Sequence, residues 1–153
     1  MVTENNSKYN GNKIFTMKEP SEIHLNLKED SRGTLNEILR FSDFCVPGNG
    51  QIYTFSINPL KRRGDHYHTK KDEWFTCVLG SVKVLCTNAD ERDFVYEIAE
   101  KDPKTIYVPK LITHALVNTL NTRAIIVSYG SEQHNHNDND TFYKKACPSM
   151  FFT

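Results

Sequence analysis

No run of apolar residues in this chain approaches the roughly 20 that a membrane-spanning helix needs. Nor does the polar opening, residues 1–8, carry the apolar stretch of a signal peptide. The expected setting is cytoplasmic, with no membrane partner. An excess of one charge is lacking too: Lys plus Arg and Asp plus Glu each number 19, so no broad basic field suggests a nucleic-acid partner, and any anion site has to be local. Cysteine is sparse. Cys45, Cys77, Cys86 and Cys147 stand far apart without a Cys-x-x-Cys pair, which argues against both a zinc knuckle and a disulfide framework. Cys77 and Cys86 fall within apolar strand patterns and read as buried, reduced thiols.

Long helical periodicity is also missing, and what remains is a series of short β-rich runs separated by turn residues. They cover residues 14–15, 23–27, 51–58, 74–79, 81–86, 94–98, 105–108, 114–118 and 123–129. This pattern predicts an all-β barrel or sandwich. At 153 residues the chain fits one domain: a flexible, Asn-rich arm over 1–12, then a single domain over 13–153. Its end, 142–153, reads as a short helix followed by an aromatic tail. The tail residues Met150, Phe151 and Phe152 would be costly to expose in a monomer, which predicts packing against the same or a second subunit.

The chemistry concentrates in residues 63–80. In an extended strand His66 and His68 share one face while Tyr67 points to the other. A polar, turn-length segment, residues 69–72, then leads into a returning apolar strand that brings Glu73 back beside them. Nitrogen and oxygen donors so clustered suit a divalent transition metal. Lys61, Arg62 and Arg63 form the one dense basic run, directly before the histidines. It reads either as a solvated face or as a receptor for a diphosphate, because Arg favours bidentate contact with phosphate oxygens. Arg32, in the segment from Asp30 to Glu37, has two readings as well: an anion-binding guanidinium, or a turn locked by an Arg–Glu pair. His24 reads as an ordinary strand histidine. His134 and His136 lie in a hydrophilic loop, residues 130–140, and read as solvated.

The pattern His66-x-His68, four residues, Glu73, six residues, Gly80 resembles the first motif of the cupins, small double-stranded β-helix (jelly-roll) barrels with a metal or a sugar in the mouth. Downstream, Pro109, four residues, His114, three residues, Asn118 resembles the second cupin motif, whose His supplies the last ligand. Three usual glycines are replaced, by Leu60, Pro103 and Leu111, so the turns there are expected to differ while the ligand set stays complete. The segment Asp30-x-Arg32-Gly33, three residues, Glu37 resembles the opening motif of the dTDP-4-dehydrorhamnose 3,5-epimerase group.

Among sugar-nucleotide epimerase and ketoisomerase cupins, the run Arg63-Gly64-Asp65-His66-Tyr67-His68 with Glu73 is most similar to the C-terminal 3-epimerase domain of the capsular-polysaccharide enzymes that make UDP-N-acetylfucosamine. That resemblance implies inversion of C3 of a UDP- or dTDP-linked 4-keto-6-deoxyhexose through a metal-stabilised enolate. The divalent metal, taken as zinc, would be held by His66, His68, Glu73 and His114. Lys71 and Tyr129 stand as candidate acid and base, Arg32, Lys61 and Arg63 as substrate contacts, and a homodimer as the assembly. Without a reductase domain in the sequence, a separate reductase or aminotransferase is expected to act on the product. The rhamnose epimerases carry Gln at the position of His68 and use the His66 position as base, and the 3,4-ketoisomerases tend to carry Gln near Glu73; keeping Glu73 favours the metal-bound epimerase. A non-haem metal dioxygenase and a non-catalytic sugar-binding barrel remain open beside these.

Overall fold

The computed structural model describes residues 18–44, 46 and 48–150. The expected arm over 1–12, the strand at 14–15, Cys45, and the tail residues Phe151 and Phe152 lie outside these. Among the described residues twelve strands and one short helix follow in order. They are β1 (Ser21–His24), β2 (Lys28–Asp30), β3 (Gly33–Leu35), α1 (Phe41–Phe44), β4 (Gln51–Ile57) and β5 (Arg62–Tyr67). Then come β6 (Glu73–Leu79), β7 (Ser81–Thr87), β8 (Asp93–Ala99), β9 (Lys104–Val108), β10 (Thr113–Val117), β11 (Ala124–Gly130) and β12 (Phe142–Tyr143). The strands build two antiparallel five-stranded sheets, ordered β1-β9-β6-β11-β4 and β12-β5-β10-β7-β8. This is the double-stranded β-barrel that the strand spacing and the paired motifs predict.

Period-two alternation decides what fills the barrel. Along β4, Tyr53, Phe55 and Ile57 turn inward while Ile52 and its alternates stay exposed. Along β10, His114 and Leu116 turn inward, whereas Ala115 and Val117 meet Leu85, Ala146 and Cys147 on the outer surface. The inner residues form one apolar core that includes Val84, Ile98, Ile106 and Ile126, all fully buried. By burial alone each such side chain contributes about 1.5–3 kcal/mol.

Residues 28–35 form a separate two-stranded hairpin, β2 on β3, with every strand residue exposed. The helix expected near the C-terminus is instead strand β12, which pairs with His66 and Tyr67. Phe142 stacks on Tyr67 at 5.3 Å between ring centroids, and the backbone beyond is claimed by barrel side chains. Arg62 donates to the carbonyl of Ala146 at 2.7 Å, Asp65 accepts the Ala146 N–H at 3.0 Å, and Thr87 Oγ1 accepts the Cys147 N–H at 2.8 Å. Backbone groups bonded to the barrel have no partners left for a helical ladder. Met150 packs against the Leu85 and Val117 cluster of its own chain.

Two of the three missing glycines do not change the turns. Leu60 and Leu111 both adopt left-handed φ, 58° and 68°, the region where glycine is usual. Their side chains are exposed, so the strain is local and nothing in the barrel has to move.

Candidate metal centre

Strand β5 is irregular where it approaches the centre. Its register against β10 pairs Ala115 with Gly64 and His114 with His66, leaving Asp65 as an extra, unpaired residue. Gly64 and Asp65 take φ of 102° and 57°, as a bulge demands. A side chain at Gly64 would press to 2.8 Å from the His114 carbonyl, so only glycine lets β5 approach β10 here. Asp65 is fixed by Arg62, whose Nε donates to Oδ2 at 2.8 Å. Arg62 is thus spent on the bulge, while Arg63 faces the cavity and lies over the Phe55 ring at 5.4 Å.

Four side chains converge just past this bulge. One ligand atom from each of His66, His68, Glu73 and His114 lies within 4.8 Å of all the others. Three of the residues are fully buried, and His66 is partly so. Glu73 Oε2 stands 3.0 Å from His114 Nε2 and 3.3 Å from His68 Nε2. The imidazoles are turned by their far nitrogens: His114 Nδ1 donates to the carbonyl of Ile112 at 3.1 Å, and His68 Nδ1 donates to the carbonyl of Asp140. Carbonyls only accept, so both Nδ1 atoms carry a proton, and in each ring Nε2 is the atom turned toward the Glu73 carboxylate. His68 Nε2 and Glu73 Oε2 have no hydrogen-bond partner although both are buried. Imidazole nitrogens and a carboxylate oxygen converging on one point form a donor set that fits a zinc-class ion.

Burial and the neighbouring His114 and His68 push the His66 imidazole down to about 4, so it is neutral, as a ligand must be. Burial alone would raise Glu73, but the His114 and His68 imidazoles beside it outweigh that and hold the carboxyl well below the usual carboxylate range. On its other oxygen, Oε1, Glu73 accepts the Tyr53 hydroxyl at 2.6 Å and lies 3.5 Å from Lys71 Nζ. Burial and the Glu73 charge push the Tyr53 phenol well above its ordinary value. The centre opens on a cavity of about 120 Å³ bordered by Tyr53, Arg63, His66, Phe75 and Leu116.

Of the residues expected at the site, the structure therefore brings His66, His68, Glu73, His114, Lys71 and Arg63 together. Lys61 is exposed just before strand β5, which begins at Arg62. Arg32 does not border the cavity: it sits on the exposed hairpin paired with Asp30 at 2.7 Å, while Glu37 pairs with Arg40. Tyr129 is a correction. It falls at an outward position of β11, with its ring 4.9 Å from Phe41 and 5.6 Å from Trp74, and the sheet separates it from the cavity. The loop over residues 130–140 is also more than a solvated strand connection. His134 and His136 are exposed, yet Asp140 binds Thr69 N–H at 2.8 Å, Thr69 Oγ1 at 2.7 Å and Lys70 N–H at 2.9 Å, which docks the loop against His68. Tyr53 was not singled out in the sequence. The signal available was one residue with a polar tip in the inward stripe that Phe55 and Ile57 share.

The polysaccharide biosynthesis C-terminal domain family matches residues 28–142. The chain belongs to this family. Membership agrees with a curated relative in Pseudomonas aeruginosa, a UDP-2-acetamido-2,6-beta-L-arabino-hexul-4-ose reductase, 28% identical over 130 residues. That alignment covers 84% of this chain and 33% of the relative, so the chain spans about a third of that protein's length. Other members of the fold are more distant in sequence. The capsular polysaccharide assembling protein CapF of Staphylococcus aureus superposes with a TM-score of 0.62 at 22% identity, covering 80% of this chain and 34% of that one. A dTDP sugar isomerase from Desulfovibrio desulfuricans superposes over nearly its whole length, with a TM-score of 0.75 at 14% identity and coverage of 85% and 86%. The sugar 3,4-ketoisomerase QdtA from Thermoanaerobacterium thermosaccharolyticum shares the fold at a TM-score of 0.67 and 19% identity, covering 81% of this chain and 87% of that one.

Proposed function

We propose that this chain is a sugar-nucleotide epimerase that inverts C3 of a nucleotide-linked 4-keto-6-deoxyhexose. The observation that carries the reading is a buried carboxylate ringed by three imidazoles at the floor of a small cavity with an arginine at its edge. His66, His68, Glu73 and His114 would hold a divalent ion, which would supply the polarisation of a carbonyl oxygen that eases removal of a proton beside a ketone. The cavity, about 120 Å³, is smaller than the roughly 300–1,000 Å³ of sites that enclose whole ligands. It therefore takes the reacting end of the sugar and leaves the nucleotide on the rim. There Arg63 offers a planar fork to a diphosphate, with the exposed Lys61 two residues before it. Arg32 reaches an anion only by giving up its exposed pair with Asp30.

The relatives act on UDP-linked or dTDP-linked sugars by their names, and both nucleotides are candidates here. The product keeps a ketone at C4, so a reducing or aminating activity is the class of reaction that consumes it. We take the assembly to be a homodimer, supported by Ile52, 69% exposed on edge strand β4, and by a hairpin whose strand residues are all exposed among the described residues. One observation favours a second reading, a metal-free epimerase of the rhamnose type with His66 as base: His66 borders the cavity and is neutral at pH 7.

The test is solvent exchange in heavy water, followed by NMR on UDP- and dTDP-linked 4-keto sugars. The expected result is deuterium at C3 with the carbonyl still at C4, lost in His68→Ala. A carbonyl moved to C3 marks a ketoisomerase, and label at C5 as well marks a 3,5-epimerase. No deuterium from either substrate overturns the epimerase reading and turns attention to oxygen uptake by a dioxygenase.

A further inference from the structure

Glu73 has its two oxygens in different surroundings. Oε2 faces the imidazoles at 3.0 and 3.3 Å, while Oε1 is turned away and occupied twice, by the Tyr53 hydroxyl at 2.6 Å and by Lys71 Nζ at 3.5 Å. Tyr53 comes from β4 and Lys71 from the turn before β6, so the carboxylate is gripped from two independent elements. Neither grip is loose. The Lys71 side chain is only 14% exposed, and Tyr53 stands on the inward face of β4 beside Phe55, whose ring stacks at 6.2 Å. A carboxylate free to rotate offers a metal either one oxygen or both; one with an oxygen already satisfied by a phenol and an ammonium offers the other alone.

We infer that Tyr53 and Lys71 are positioning residues that make Glu73 a one-oxygen ligand and so keep a coordination position free on the cavity side, where a substrate oxygen enters. Tyr53 itself borders that cavity, so the same hydroxyl that turns Glu73 also limits the space beside it. The inference rests on reading the four-residue cluster as a metal centre, and it holds whichever sugar is turned over. A site with an open position and a fixed set of protein ligands is what separates a catalytic centre from a closed structural one.

The experiment uses cobalt(II) loaded into the full chain, with its visible absorption read alongside affinity from competition with a chromophoric chelator. Wild type is expected to show the intense bands of low coordination. Tyr53→Phe keeps the ring and removes the hydroxyl; its bands should weaken as the second carboxylate oxygen closes on the ion, and its affinity should fall about tenfold or more, the usual cost of losing such a partner. Lys71→Met should move both readings the same way by less, and serves should the tyrosine variant fail to fold. Wild-type spectra and affinity in whichever variants fold overturn the inference. A wild-type chain that takes up no cobalt overturns the metal reading itself, a separate outcome from an unchanged variant.

Discussion

The carbonyl of Asp140 accepts the Nδ1–H of His68, so a residue 72 positions downstream sets the direction of an imidazole just past strand β5. The same residue's carboxylate takes two backbone N–H groups and a hydroxyl from the turn that follows the histidine. Loop and ligand are therefore one unit.

Asp140→Ala removes three hydrogen bonds but no ligand. The loop is expected to loosen, His68 to lose its fixed orientation, and metal affinity to fall about tenfold, within the range for lost outer partners. Competition titration with a chelator measures this. Unchanged affinity shows that the carbonyl alone holds the ring.

Glu73→Gln takes away the one anionic donor of the centre, and the neutral amide cannot balance a divalent charge. Elemental analysis of protein purified without chelator should find about one metal per chain in wild type, as a mononuclear four-ligand site requires, and a strong loss in the variant. His134→Ala, on the exposed loop, should retain the metal.

Leu60→Gly and Leu111→Gly should each stabilise the fold. A left-handed residue other than glycine costs roughly 1–2 kcal/mol, and the added freedom of glycine in the unfolded chain returns about 0.4–1 kcal/mol. The net gain is on the order of 0.5–1 kcal/mol, visible as a higher urea midpoint. A lower midpoint in both would show that the leucine side chains, though exposed, contribute packing.

Burial pushes the Cys77 thiol up to about 11 and raises Cys86 and Cys147 as well. In a Cys45→Ser background, a disulfide reagent at pH 8 should react with these thiols about a hundredfold more slowly in the native protein than in denaturant, because the thiolate is the attacking form. The native rate for Cys77 should climb with pH until about 11. Fast native labelling at pH 8 would contradict the buried setting.

Ile52→Lys places a charge on the exposed apolar position of edge strand β4. If that surface joins two copies, light scattering should show wild-type protein at twice the chain mass and the variant shifted toward the single chain. A wild-type protein at monomer mass at micromolar concentration removes the homodimer from the proposal.

Much of this centre was legible because its spacing is short-range. His66 and His68 share a face by strand alternation, and Glu73 follows after a turn, so three ligands are predictable from a dozen residues. His114 was reached through the second motif. Tyr129 failed for the opposite reason: placing it required knowing which face of β11 looks inward, and that depends on pairing with β4 and β6, which no local pattern reveals. The grip of Asp140 on His68 likewise crosses the whole chain. Leu60 and Leu111 show a third case, in which residue identity suggested an altered turn and the surrounding barrel imposed the original one.

The unpaired Asp65 has a consequence for how the sequence can change. Opposite β10, Arg63 sits across from Leu116 and His66 across from His114, so an odd and an even position look into the same cavity. An unbroken strand cannot do this; parity would send one of them out. The inserted residue shifts the count once, between the guanidinium and the first imidazole. Deleting Asp65 should therefore not shorten a loop but desynchronise the strand, turning either Arg63 or the His66 and His68 pair to the outside while composition hardly changes. The fixed interval between arginine and histidine is in this sense a frame, kept by number rather than by the chemistry of the residue that fills it.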